Sequence, residues 1–275
     1  MILIAPVHVH AQGTPSPLII TSLQPLGLIV SEIVGDHGQV KVLLPSETVF
    51  HDYRLTAADR AVLSSASLVL WVGEALEPML ADSLKQRLGP TLTASKLKHL
   101  HWSGDFGHRT PLLWLNPLNN IELIDQLIIE LVAIAPQHKR YYLANAQLLV
   151  RELQQLDLSL ASRMKPLQSV PFIVTHPIYH HFLQRYGLQQ LAYITQTPQH
   201  PPKTEHIVKL SQLNNVRCIL GAEGGDGAVA QKLAQDLGAD LVSVDVLGIT
   251  QRSIVGLIED VAKSVEKCLV RAQTS

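Results

Sequence analysis

The chain has 275 residues, 47% of them apolar and 16% charged, which excludes a disordered polypeptide and permits a sizeable buried core. Its 22 basic and 23 acidic residues leave a net charge of −1, so it carries neither a nucleic-acid footprint nor a polybasic membrane patch. At roughly 150 residues per domain the length predicts two units, and no apolar run nears the ~20 residues needed to span a bilayer.

Leu18 to Thr21 reads as a buried strand. Leu26, Ile29, Val30, Ile33 and Val34 follow at the spacing of one helix face, stopped by Gly35. Val40 to Leu44 is the next strand, ended by Pro45; Ala57 to Ser65 reads as helix, and Leu68 to Val72 as a strand closed by Gly73. After Pro117, the residues Ile121, Ile124, Ile128, Leu131 and Val132 mark an amphipathic helix reaching Pro136. From Gln137 to Met164 there is no glycine or proline, and Tyr142, Ala146, Leu149, Leu153, Leu156, Leu160 and Met164 keep a three-four spacing. Those ~28 residues make a helix of roughly 42 Å at 1.5 Å per residue, with no flexible hinge in it.

The alternation then returns. Strand Phe172 to Thr175 leads to a helix opened by Pro177, then to a strand near Leu191 to Thr195 and a helix after Lys203. Strand Val216 to Leu220, a helix over Ala228 to Leu237, strand Leu241 to Val244 and a last helix from Gln251 to Leu269 complete the chain. Repeated β-α units predict an α/β fold: two lobes of parallel-sheet β/α units joined by one long rigid helix. The expected boundaries are 16–135 for the N-terminal lobe, 136–165 for the linking helix and 166–275 for the C-terminal lobe.

Histidine is the compositional outlier, with 13 residues against six tyrosines, four phenylalanines and three tryptophans. Neutral imidazole is the commonest metal ligand, so the excess points towards a metal. Cys218 and Cys268 form no Cys-x-x-Cys pair, which excludes a thiolate zinc site and leaves open two buried thiols or one disulfide. At the N-terminus, Ile2 to Val7 is apolar and Val9-His10-Ala11 has small-residue spacing, so residues 1–11 read as the remnant of a secretory signal. A ragged cytoplasmic N-terminus is the alternative.

Ligands in open α/β sheets bind beyond the carboxyl ends of the strands. His51 lies in the loop after Val40 to Leu44, His176 directly follows Phe172 to Thr175, and Asp245 directly follows Leu241 to Val244. Two imidazoles and a carboxylate from different strand ends suit a borderline divalent metal. Taken singly, each also has a structural reading, since a strand-end aspartate often N-caps the next helix and a strand-end histidine caps or binds backbone. His180 and His181 are expected on a solvated helix face. Gly224-Gly225-Asp226-Gly227 lacks both the Lys-Ser/Thr of a P-loop and the GxGxxG frame, so no nucleotide site is expected.

Longer stretches carry a family resemblance. Ser22-Leu23-Gln24-Pro25-Leu26, Leu43-Leu44-Pro45, His51-Asp52-Tyr53 and Leu70-Trp71-Val72-Gly73 with Glu77 closely resemble the periplasmic zinc-binding proteins of ABC importers (ZnuA-like). The resemblance continues through Trp114-Leu115-Asn116-Pro117, Pro136, Tyr142 to Asn145, His176 with Tyr179 and Phe182, Gly187-Leu188, and Asp245 with Leu247-Gly248. It covers about residue 18 to 270, in order. It implies two α/β lobes bridged by a rigid helix, with a divalent metal, zinc, held in the cleft as transported substrate. It further implies a monomer in the periplasm that hands the ion to the membrane permease of a metal ABC importer and performs no catalysis. Manganese or iron capture is the alternative within the family, and a chelatase-like metal-handling enzyme the alternative outside it. His176 as the second-lobe ligand, where manganese and iron relatives favour an extra carboxylate, favours zinc. Cys218 and Cys268 stand where zinc-specific relatives carry a disulfide within the second lobe, which fits an oxidising compartment.

The chain also departs from the family pattern. The family's second metal histidine stands two residues before the tryptophan of an Asp-x-His-x-Trp-Leu-x-Pro segment. Here Leu112 takes that place and Thr110 replaces the acidic residue, while Phe50 stands where an acidic residue often precedes the first histidine. The ligands that carry over are therefore His51, His176 and Asp245. A water in the fourth place, a substitute from the loop Lys98 to His108 with His108 nearest in sequence, and weak metal binding or a different ligand altogether are the three outcomes left open.

Overall fold

The computed structural model describes residues 16–44, 53–101, 112–196, 201–222 and 227–274. Strand β1 (Leu18–Thr21) leads into helix α1 (Gln24–Val34), which carries Pro25 in its first turn, where a missing N–H loses no helical bond. β2 (Gln39–Val42), α2 (Ala57–Ser65), β3 (Leu68–Trp71), the short α3 (Ala81–Lys85) and β4 (Thr91–Thr93) follow. A 3-10 turn at Leu113–Leu115 introduces α4 (Pro117–Ile134), and the long helix α5 (Lys139–Met164) comes next. The second half runs through β5 (Phe172–Val174), α6 (His180–Arg185), β6 (Gln190–Tyr193), α7 (Thr204–Ser211) and β7 (Cys218–Ala222). It ends with α8 (Gly227–Leu237), β8 (Asp240–Val244) and α9 (Ile254–Thr274).

Both sheets are wholly parallel and share one topology, β2-β1-β3-β4 in the first and β6-β5-β7-β8 in the second. In each, the chain steps to one side of its first strand and then crosses to the other, which makes a switch point between β1 and β3 and between β5 and β7. β3 is buried on both faces, as its unbroken Leu-Val-Leu-Trp run requires of a strand covered by helices. β4 was not expected from the sequence: Thr-Leu-Thr has no apolar run, and its extended form is set by pairing, Thr91 opposite Val69. α6 also begins later than the expected start at Pro177, because Ile178 N–H donates to His176 O at 2.8 Å and closes a tight turn first.

Helix α5 has 26 residues, about 39 Å at the standard rise. All seven residues of its expected apolar stripe, Tyr142 through Met164, are buried. The same helix is fastened to elements of both halves. Tyr142 OH donates to His37 O at 2.8 Å and Asn145 Nδ2 to Ile33 O at 3.1 Å, gripping the end of α1. Arg163 pairs with Glu259 at 2.8 Å and Glu266 at 2.6 Å on α9, and buried Asp157 takes Arg185 of α6 and the Tyr186 hydroxyl. One hydrophobic core runs from β1 and β3 along α5 to β5, β7 and α9. α1 also reaches α9 directly, where the Glu32 carboxylate accepts Ile254 N–H at 2.9 Å. Swivelling the halves about α5 would break this core, so the joint is stiff.

Cys218 on β7 and Cys268 on α9 are disulfide-bonded and fully buried, tying the second sheet to the last helix. Among the described residues no helix is long and apolar enough to cross a membrane.

Candidate metal centre

β5 ends at Val174, and the next two residues, Thr175 and His176, are both buried. His176 is 2% exposed and its Nδ1 lies 3.1 Å from Thr175 Oγ1. When the ring donates through Nδ1 to that hydroxyl, Nε2 is left in the acceptor form that coordinates metals.

Asp245 follows β8 and is half-buried. Its Oδ1 accepts Leu247 N–H at 2.9 Å and Gly248 N–H at 2.8 Å, and its Oδ2 accepts Ile249 N–H at 2.8 Å. The turn needs glycine at 248, where φ is +65°. A carboxylate offers about four acceptor positions, so three backbone bonds orient it and leave room for a further partner. Asp245 thus has a structural role, but it caps the turn at residues 247–249 and not the next helix, α9, which begins at Ile254.

Leu112 is 6% exposed and belongs to the main core, immediately before the turn Leu113–Leu115. That turn is held on two sides. Asn120 Nδ2 donates to Trp114 O at 2.8 Å from α4, and fully buried Trp114 donates through Nε1 to Val246 O at 2.8 Å. The segment bearing Leu112 is therefore pinned against the residue next to Asp245, across 132 positions of sequence. His51 and His108 lie outside the described residues. Among the described residues, no group of three or more His, Cys, Asp or Glu side chains stands close enough to hold a metal ion.

The remaining histidines divide. His181 is 2% exposed, which corrects the expected solvated face, and its Nδ1 lies 3.3 Å from Asn119 Nδ2 on α4. His180 is half-buried, and desolvation holds its pKa below the ordinary imidazole value. His37 and His138 stack with centroids 4.4 Å apart and planes 21° from parallel. Their in-plane lone pairs run side by side and do not converge on one ion.

Glu77, beyond β3, is fully buried, and its Oε2 accepts Val72 N–H at 2.8 Å and Gly73 N–H at 3.0 Å. Burial pushes its pKa up to about 7, against the opposing pull of the Ser22 side chain and of the hydrogen bonds from Gly73 and Val72 N–H. The folded protein therefore holds this proton more tightly than the unfolded chain, whose value is 4.5. The stability it contributes is full below about pH 4.5 and is lost as pH rises through 7. Glu77→Gln, neutral at every pH, should gain on the parent by roughly 3 kcal/mol between mildly acidic and mildly alkaline buffer. Urea unfolding at the two pH values checks this, and a difference independent of pH would show a carboxyl ionised throughout.

Sequence reasoning missed Asn119 and Asn120. Asparagine is a poor helix former, and an adjacent pair inside the first turns of α4 is a sign that the side chains bond elsewhere.

Two parallel α/β units, stiffly joined by one long helix and carrying polar residues at their strand ends, define a two-lobed solute-binding protein without a wide hinge. The chain belongs to the ZnuA family, described as the periplasmic component A of a zinc-uptake complex, whose model matches residues 19–268. It is 27% identical over 240 residues to the high-affinity zinc uptake system protein ZnuA of Bacillus subtilis (strain 168), covering 80% of this chain and 75% of that one. It is 26% identical over 248 residues to the zinc-binding lipoprotein AdcA of Streptococcus pneumoniae (strain ATCC BAA-255 / R6), covering 83% of this chain but 49% of that relative. A crystal structure of ZnuA superimposes with a TM-score of 0.81 at 22% identity, over 93% of this chain and 100% of that one.

Proposed function

We propose that the chain captures zinc in the periplasm, as transported substrate, and delivers it to the permease of an ABC importer. His51, His176 and Asp245 are the proposed ligands, with water or His108 in the place that Leu112 vacates. The lobes are the proposed spans 16–135 and 166–275 about the joining helix, and the protein acts as a monomer with no catalytic step. The observation that carries the reading is His176, buried at the carboxyl end of β5 beside the switch point with its Nδ1 side engaged by Thr175. A family whose model spans 19–268 supports zinc as the cargo.

The test is metal analysis of the purified protein after zinc, manganese and iron are offered together. Zinc at one equivalent is expected. Manganese or iron in its place would overturn the choice of ion, and an empty protein would overturn the function.

Leu112→His supplies a second probe. It restores an imidazole where the family has one, and should raise zinc affinity at least ~10-fold, judged by the ~10–100-fold effects of even outer-shell changes. Competition with a chelating dye measures it. No gain would mean that the Leu112 side chain points away from the ion.

A further inference from the structure

Asn119 stands in the first turn of α4 and is fully buried. Its Oδ1 accepts His101 N–H at 2.8 Å, and its Nδ2 donates to Leu113 O at 3.2 Å. One amide thus holds both chain segments that flank residues 102–111. These two partners also fix the amide's orientation, because a flip would set donor against donor and acceptor against acceptor. The remaining proton of Nδ2 is available to His181 Nδ1, 3.3 Å away on α6. Nδ2 can only donate, so His181 Nδ1 accepts and the ring proton sits on Nε2.

The bonds join two segments that matter to the site. Leu113 follows the position where the family places a metal histidine, and α6 begins four residues after His176. We infer that Asn119 is a positioning residue for the metal centre: through Leu113 and His181 it locks the Leu112 segment, which lines the family's ligand position without supplying a ligand, to the helix behind His176, so that the two lobes keep one separation at the site. Asn119 itself touches no metal. The inference rests on the metal-capture reading.

The experiment uses the full chain and zinc alone, with affinity read by chelator competition. Asn119→Leu removes all three bonds at nearly equal volume. His181→Asn keeps an acceptor where Nδ1 stands, whereas His181→Leu has the same shape and no acceptor. Asn119→Leu and His181→Leu should each bind zinc about tenfold more weakly or worse, while His181→Asn stays close to the parent. A purely structural role would not separate the two isosteric His181 variants. Parent-like affinity in Asn119→Leu overturns the inference, as do His181→Asn and His181→Leu that bind alike, whether both tight or both weak. Should Asn119→Leu fail to fold, the His181 pair decides alone. A parent that binds no zinc overturns the proposed function and this inference with it, and is distinct from a parent that binds beside variants that bind equally well.

Discussion

Zinc binding should be all but lost when His176 is replaced by alanine. The imidazole is 2% exposed at the end of β5, and its Nδ1 lies 3.1 Å from Thr175 Oγ1, so the ring is oriented before any ion arrives. Its removal would leave two protein ligands of the proposed three, with water in the place of a borderline-soft nitrogen donor. A loss of at least ~100-fold is expected, the upper end of what outer-shell changes alone produce. Because zinc bound only to the folded state raises its stability, the variant should also lose the zinc-dependent rise in melting temperature expected of the parent. Reading both quantities separates lost coordination from a weakened fold: a variant that melts lower but still gains its full rise with zinc has kept its site. Affinity within a few-fold of the parent would mark His176 as structural and remove the centre of the proposed site.

Removing the disulfide should have the largest effect on stability and little on zinc. Cys218 and Cys268 are 50 positions apart, and closing a loop of that size stabilises by about 4 kcal/mol in the chain-entropy model. Both cysteines are fully buried, so the double serine variant also places two hydroxyls in an apolar core. Cys218 is the first residue of β7, at the amino end of the strand and away from the carboxyl ends where the ligands are proposed. Urea unfolding should therefore show the loss, while zinc affinity of the folded variant stays near that of the parent. A loss below about 1 kcal/mol would mean that the unfolded chain is already compact around this loop.

Much of the fold was written in local patterns. β1, β3, β5 and β7 are legible as apolar runs because helices cover both faces of their sheets, and the stripe on α5 is legible because one face of that helix is buried along its length. β4 and the start of α6 were not legible: an edge strand takes its form from the partner it pairs with, and a turn from a single bond between His176 and Ile178. The site divided in the same way. Strand-end positions marked His176 and Asp245; a helix N-cap was the expected structural role of the aspartate, whereas it binds three backbone N–H groups of the turn that follows it. The two cysteines left thiols or a disulfide open until β7 and α9 packed together. Neighbouring histidines on a helix do not reveal which of them meets another lobe, so the burial of His181 against Asn119 leaves no local trace. Asn119 had no partner to predict until residues 101, 113 and 181 converged on it. The sequence by itself determined the class of fold, the rigid joint and the strand ends at which to look, because burial along one element writes a period of two or 3.6 into its own residues. Only the tertiary structure decided how the Leu112 segment is held against Val246 and α6, because those bonds join residues 62 and 132 positions apart and leave no periodic trace in either stretch.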